Sequence, residues 1–260
     1  MRAREWSKLK KIILNADIVI EVLDARDPYI TRCKQLENLV TQLGKKLVLV
    51  INKADLVPKE VLDSWKRVLN KEYPTVYISA QKRLGTRHLW RLIKLLATKF
   101  PVKVAVVGYP NVGKSTIINV LKGKYSSGTS PLPGFTKTNL KLRVASWLII
   151  FDTPGIIPKG EDEEELVIKG ALRPEALEDP INPAIKLIMI ALARDPKIIE
   201  TTYGLRGEDP YELLIKLAKK RGLLLKNEKP NVDEAARIIL RDWQRGKLVF
   251  YSKPEHYGLK

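Results

Sequence analysis

Gly108-Tyr109-Pro110-Asn111-Val112-Gly113-Lys114-Ser115 places two glycines, a lysine and a hydroxyl at the spacing G-x-x-x-x-G-K-[ST], a pattern suited to gripping phosphate. The glycines let successive backbone N–H groups turn inward around phosphate oxygens. A helix opening at Gly113 adds the positive end of its dipole, and Lys114 reaches the terminal phosphates. Ser115 is placed to ligate magnesium, while Asn111, Val112, Gly113 and Thr116 line the rest of the cradle. A chance Gly-Lys-Ser turn would lack the flanks that this chemistry needs. Here the apolar run Val102 to Val107 reads as a strand directly before the loop, and a helical pattern follows it.

A phosphate cradle does not choose a base. Asn52-Lys53-Ala54-Asp55, after the apolar run LVLVI, resembles the N-K-x-D element of GTPases, although so short a match is also compatible with an ordinary strand-to-helix turn. The resemblance implies that Asp55 accepts from the guanine N1 and N2 edge, that Asn52 contacts the opposite edge, and that the Lys53 stem covers the ring. Ser79-Ala80, after TVYI, resembles the second base-contacting loop. Adenine offers no donors at that edge, so such a site leaves buried polar atoms unsatisfied when the wrong base enters. Downstream, Pro133-Gly134-Phe135-Thr136 and Asp152-Thr153-Pro154-Gly155 resemble two switch elements. Thr136 and Asp152 would then complete the magnesium shell with Ser115, and the Gly155 N–H would meet the γ-phosphate. Hydrolysis would release both loops.

In a standard GTPase the phosphate loop precedes the base-reading loops, whereas here it follows them, so the chain resembles a circular permutation. Parallel strands allow this, because all these loops leave the same carboxyl edge whatever their order in the chain. The arrangement resembles the YlqF, or ribosome-biogenesis GTPase A, family. The likeness extends to Asp24-Ala25-Arg26-Asp27-Pro28, Arg221-Gly222 and Arg241-Asp242, and so covers nearly the whole chain. It implies GTP and GDP as ligands with magnesium, slow hydrolysis stimulated by a ribosomal partner, and a role on the large ribosomal subunit or its precursor and its ribosomal RNA. It also implies potassium at Asn111, the position where potassium-activated relatives ligate the cation; Asn is equally a favoured turn residue. Two departures stand out. No histidine precedes His88, and Ile156 occupies the place where many GTPases carry a water-orienting glutamine, so the catalytic base is left unassigned. A nucleotide-gated RNA-binding module without hydrolysis, or a GTPase of another RNA–protein particle, stays open beside the main reading.

The elements that must carry these loops read as α/β, a P-loop fold with a mostly parallel sheet. Strands are expected at Asp17–Leu23, Leu47–Ile51, Thr75–Ile78, Val102–Val107, Leu140–Val144 and Trp147–Phe151, with helices over Pro58–Leu69 and Leu89–Ala97. The pattern changes near Glu161, which predicts a GTPase domain over 1–160 and a smaller helical domain over 161–260, with one short strand at Leu248–Tyr251. Asp209-Pro210 opens one helix of that domain. Asn231 opens another, with Glu234 in capping-box position, running through Arg245. On it Ala235, Ile238, Ile239 and Trp243 are expected in the core. Arg237, Arg241 and Arg245 recur every four residues as a basic stripe, either a solvated face or a contact for ribosomal RNA phosphates.

Composition sets the outer bounds. The 260 residues carry 47 Lys+Arg against 29 Asp+Glu, a formal charge of +18, where a surface tuned for solubility alone needs a magnitude of about 2–8. The excess lies outside the phosphate loop. Residues 1–100 hold 21 basic and 10 acidic groups, 101–184 hold 10 and 9, and 185–260 hold 16 and 10. A polyanion larger than a nucleotide, such as RNA, accounts for it. Cys33 is the one cysteine, which excludes a disulfide framework or thiolate metal cluster, and the longest apolar run, Leu187 to Ala193, is far short of the ~20 residues that span a bilayer. With no apolar stretch after the basic start, a cytoplasmic protein is expected, away from membranes.

Overall fold

The computed structural model describes residues 3–123, 141–158 and 160–260. In chain order the elements are α1 (Ala3–Asn15), β1 (Ile18–Asp24), α2 (Lys34–Gln42), β2 (Lys46–Asn52), α3 (Lys59–Leu69), β3 (Thr75–Tyr77), α4 (Thr86–Leu96), β4 (Val102–Val107), α5 (Lys114–Lys122), β5 (Lys141–Ala145) and β6 (Leu148–Asp152). There follow α6 (Glu163–Ile168), α7 (Ile181–Arg194), α8 (Ile198–Tyr203), α9 (Pro210–Lys220) and α10 (Val232–Arg245). Two compact units result, one of residues 1–159 with 253–260 and one of residues 160–252.

The first unit is a six-stranded sheet in the order β3-β2-β1-β4-β6-β5, parallel except for the β5–β6 pair, and it is a P-loop GTPase fold. All seven residues of β1 are buried, as are six of seven in β2, which explains why these strands read as unbroken apolar runs rather than alternating ones. The register pairs Asp24 with Asn52 and Val106 with Asp152, so β1 ends level with β2 and β4 nearly level with β6, while Val107 at the end of β4 stands opposite Glu21 of β1. Strand order reverses between β1 and β4, the place where open α/β sheets form their ligand crevice. Each expected strand of this unit is present within one or two residues of its bounds.

The loop from β1 to α2 is pinned by buried charge. Arg32 donates through Nε and Nη2 to Glu37 at 2.6 and 2.8 Å and through Nη1 and Nη2 to Glu72 at 2.9 and 2.8 Å. Glu21, fully buried on β1, accepts from the Cys33 N–H at 2.7 Å, and burial holds its carboxyl well above the usual range.

Residues 253–260 differ from the expected partition, since they group with the sheet unit and not with the helical one. Aromatic packing is the reason. The Tyr257 ring stacks on Tyr29 with centroids 4.3 Å apart and lies 6.1 Å from Trp65, and its hydroxyl donates to Asp27 at 2.6 Å.

In the second unit Asp162, Asp209 and Asn231 each cap a helix by accepting the N–H three residues on. The capping box at Asn231 is only half formed, because the Glu234 carboxylate accepts from Arg241 while the Asn231 N–H donates to Leu223. The core side of α10 includes Ala235, Ile239 and Trp243, with Ile238 half-buried. The strand expected at Leu248–Tyr251 does not form. Its apolar alternation serves packing instead, since Phe250 stacks on Trp243 at 4.3 Å and the Leu248 N–H donates to Asp242.

Tyr257→Ala should lower the stability of the sheet unit by about 1–3 kcal/mol, the range for losing a half-buried ring with its stacking and hydroxyl partners. Urea denaturation followed by tryptophan fluorescence measures it, with Tyr257→Phe recovering most of the loss.

Candidate functional site

The phosphate loop follows β4 as the sequence requires, with Gly113 as the N-cap of α5 at φ 101°. A Cβ on Gly113 would collide with the Asn52 amide nitrogen, so this glycine is required by a neighbour as well as by its backbone angle. Asn111 also sits in the left-handed region, at φ 62°. Ser115 and Thr116 face solvent on the first turn of α5, next to the unpaired N–H groups of the helix start, while Val112 is buried beneath them. Lys114 folds over the loop and donates to the Tyr109 carbonyl at 2.6 Å. Burial pulls its ammonium down to about 8, only partly opposed by the Asp152 carboxylate.

The base-reading residues come to the same edge of the sheet. Asp55 is exposed in the single 3-10 turn Ala54–Leu56, its carboxylate without an ion pair among the described residues. Asn52, the residue that the resemblance places at the base, also holds the loops together. Its Nδ2 donates to the Val112 carbonyl at 2.9 Å and its Oδ1 accepts from the Ala80 N–H at 3.1 Å, so both ends of the amide serve the protein. Asn52 is a tie between three loops. Ser79 is buried, its hydroxyl accepting from the Lys82 N–H at 3.1 Å, and with Ala80 committed to Asn52 the next N–H along this loop is that of Gln81. Spacing alone could not single out Gln81.

Asp24 and Arg26 stand behind the Asn52–Asp55 turn and were visible in the sequence only as part of the Asp24–Pro28 motif. Lys53, at φ 64°, donates to Asp24 at 2.7 Å. Arg26 meets the same carboxylate through Nε and Nη2 at 3.0 and 2.8 Å. Burial alone would raise the Asp24 carboxyl, but these two cations override it and hold it well below the usual carboxylate range. The Lys53 stem is thereby fixed beside the base loop.

Asp152 ends β6, half-buried, and burial raises its carboxyl against the pull of Lys114 and Lys122. The next residues are clamped to the phosphate loop. Thr153 donates to the Val106 carbonyl at 2.6 Å and the Ile156 N–H to the Gly108 carbonyl at 3.0 Å. A Cβ on Gly155 would stand 2.6 Å from Pro110, so only glycine permits this approach. The Ile156 side chain is buried. Thr136 lies outside the described residues. His256 accepts from the Lys253 N–H at 2.9 Å through Nδ1, a structural role, and His88 is exposed on α4.

The arginines of α10 are not a free stripe. Arg237 donates to the Leu177 carbonyl at 3.2 Å, and Arg241 to Glu175 at 2.9 Å and Glu234 at 3.1 Å, which leaves Arg245 as the exposed member.

Several known proteins resemble this chain. Residues 103–215 match the family model described as a 50S ribosome-binding GTPase. A GDP-bound YlqF superposes with a TM-score of 0.69 at 25% identity, covering 95% of this chain and 99% of that one. The GNP-bound YlqF from T. maritima gives 0.67 at 27%, over 97% and 99%. The chain belongs to the circularly permuted GTPases that include YlqF. Among curated relatives of these permuted GTPases, the GTP-binding protein MJ1464 of Methanocaldococcus jannaschii is 43% identical over 94% of this chain and 65% of its own length. Nucleolar GTP-binding protein 2 of Schizosaccharomyces pombe is 36% identical over 97% and 48%. This chain therefore spans about half to two thirds of the curated relatives it matches. Among the described residues no helix is long and apolar enough to cross a membrane.

The Lys114 ammonium should titrate near 8 in nucleotide-free protein, followed by NMR of dimethylated lysines. The sign follows from a folded value below the unfolded one: the group opposes folding at pH below 8, and stability from it rises as pH climbs toward about 10.4. Lys114→Met should therefore keep or raise the melting temperature of the nucleotide-free protein at pH 7.

Proposed function

We propose that this chain binds GTP and hydrolyses it slowly with magnesium, as a switch in assembly of the large ribosomal subunit. The observation that carries the reading is the convergence of the phosphate loop, the Asn52–Asp55 turn and the Ser79–Gln81 loop on one edge of the sheet, joined by the Asn52 amide. Asp55 accepts from the guanine N1 and N2 edge, the Lys53 stem covers the ring, and the loop of Ser79 and Ala80 presents the Gln81 N–H to the guanine oxygen. Asn111, Val112, Gly113, Lys114 and Thr116 hold phosphate oxygens, and the Gly155 N–H faces the γ-phosphate position.

Magnesium fits as an ion shared with nucleotide. Among the described residues no group of three His, Cys, Asp or Glu could cage a metal, whereas one hydroxyl, Ser115, and one carboxylate, Asp152, suit an ion that completes its shell with phosphates and water. Thr136 would join them. When bound, the ion supplies charge neutralisation across the β- and γ-phosphates. Asn111 is the position for potassium, which would offset phosphate charge in the way an arginine finger does. The match to a family described as a 50S ribosome-binding GTPase supports a ribosomal particle, and the positive charge of the chain supports an RNA-rich partner acting where such particles mature, the cytoplasm in a cell without a nucleus.

A second reading, an RNA-binding module gated by GTP without turnover, is favoured by the buried Ile156 side chain, which positions no water. Single-turnover assays with and without large-subunit particles separate the two.

Asp55→Asn should weaken GTP by at least about tenfold and improve relative binding of xanthosine triphosphate, because an amide donor meets the acceptor that xanthine has in place of the guanine amino group. Calorimetric titration reads this, and equal wild-type affinity for ATP and GTP defeats the proposal. Turnover should also run faster in potassium than in sodium at matched ionic strength, and equal rates remove Asn111 from that role.

A further inference from the structure

Between Glu72 and Asp152 the sequence contains no aspartate or glutamate. Within this interval lie the Lys82-Arg83 turn and α4, whose Leu89, Trp90 and Ile93 pack inward and so direct the opposite face outward. Lys82, Arg83, Arg87 and Arg91 are all exposed, and none has a carboxylate partner among the described residues. Several arginines elsewhere are treated differently. Arg26, Arg32 and Arg241 are each bound by one or more carboxylates. Lys94, one turn beyond Arg91, lies over the Trp147 ring at 4.9 Å.

We propose that the outer face of α4 with the turn before it is a docking surface for the phosphate backbone of RNA, read by Lys82, Arg83, Arg87 and Arg91. Arg87 and Arg91 are four residues apart, about 6 Å along the helix axis, and Lys82 and Arg83 lie in the turn just before the helix. Like charges at this spacing destabilise an isolated helix by about 0.2–0.5 kcal/mol per pair, a cost that a polyanion reverses. Each guanidinium presents a planar fork that matches phosphate oxygens in pairs.

The surface is held rigid from the base-reading side. Ser79 and Leu84 form an antiparallel bridge, the Lys82 N–H donates to the Ser79 hydroxyl, and Gly85 fits so closely under β3 that a Cβ there would lie 2.8 Å from the Tyr77 carbonyl. RNA docked on α4 thus sits on the same short hairpin that presents Ala80 and Gln81.

The test uses the full chain and fluorescein-labelled duplex RNA, with affinity measured from about 50 to 200 mM KCl. The triple variant Lys82→Ala/Arg87→Ala/Arg91→Ala should bind about tenfold or more weakly at the lowest salt, with a log–log salt slope shallower by about 2 given ~0.7–0.9 per phosphate contact. Arg87→Lys/Arg91→Lys should retain most of the slope, and Arg237→Ala/Arg245→Ala should leave it unchanged. Circular dichroism matching wild type in these surface variants ties the loss to the contacts. An unchanged slope in the triple variant overturns the surface, and wild-type binding to polyglutamate as tight as to RNA overturns the choice of partner. GTP titration of the same samples is read apart: RNA binding that depends on these residues in a chain that fails to bind GTP supports the surface and defeats the proposed function.

Discussion

The side-chain amide of Asn52 satisfies two backbone groups from segments that lie far apart in the chain, Val112 in the phosphate loop and Ala80 in the loop after β3. It is 3% exposed, so neither of those groups has water as an alternative partner, and leaving either unpaired costs about 1–3 kcal/mol. A side-chain amide donates at one end and accepts at the other, which is what this position demands. The contact also explains Gly113, whose missing Cβ makes room for the Asn52 nitrogen. The phosphate loop and the base loop are thereby set at a fixed separation, as a ligand with a base at one end and phosphates at the other requires.

That separation depends in turn on β1, which lies between the strands bearing the two loops. Its last residue, Asp24, is buried and negative, and an isolated carboxylate there would be untenable. Arg26 and Lys53 make it tolerable, and in doing so Lys53 is held extended in a left-handed backbone conformation that a lysine otherwise avoids. Asp27 accepts from Tyr257, so the segment after β6 that returns from the helical unit's end of the chain also closes on this turn. A short acidic and basic motif near the amino end thus governs how the base-reading loop is presented.

Charge on this protein divides into two populations by partner rather than by position in the chain. Arg32, Arg241 and Arg26 are anchored to carboxylates and act as internal struts. The cations of the α4 face have no such partners. Both α4 and α10 carry arginines four residues apart, and periodicity alone treats them alike. The difference is that Glu175 reaches α10 from a distant turn and Glu234 lies on α10 itself, whereas the stretch around α4 is devoid of acids.

The phosphate cradle, the class of fold and the permuted order were legible in the residues because each rests on local chemistry: glycines and Lys114 at fixed spacing, apolar runs long enough for buried parallel strands, and motifs whose succession along the chain is itself the observation. Helix starts at Asp209 and Asn231 were legible for the same reason, since a cap is satisfied within four residues. Only the folded chain could decide what pairs across long separations. The Asn52 amide meets Val112, 60 residues away, and Arg241 turned inward to Glu175, 66 residues away. The run Leu248–Tyr251 had the alternation of a strand but no neighbouring strand to pair with, and it packed on Trp243 instead. Spacing encodes which face a residue occupies. It does not encode what the sheet register and helix packing bring opposite that face, and a buried polar group binds whatever partner arrives there.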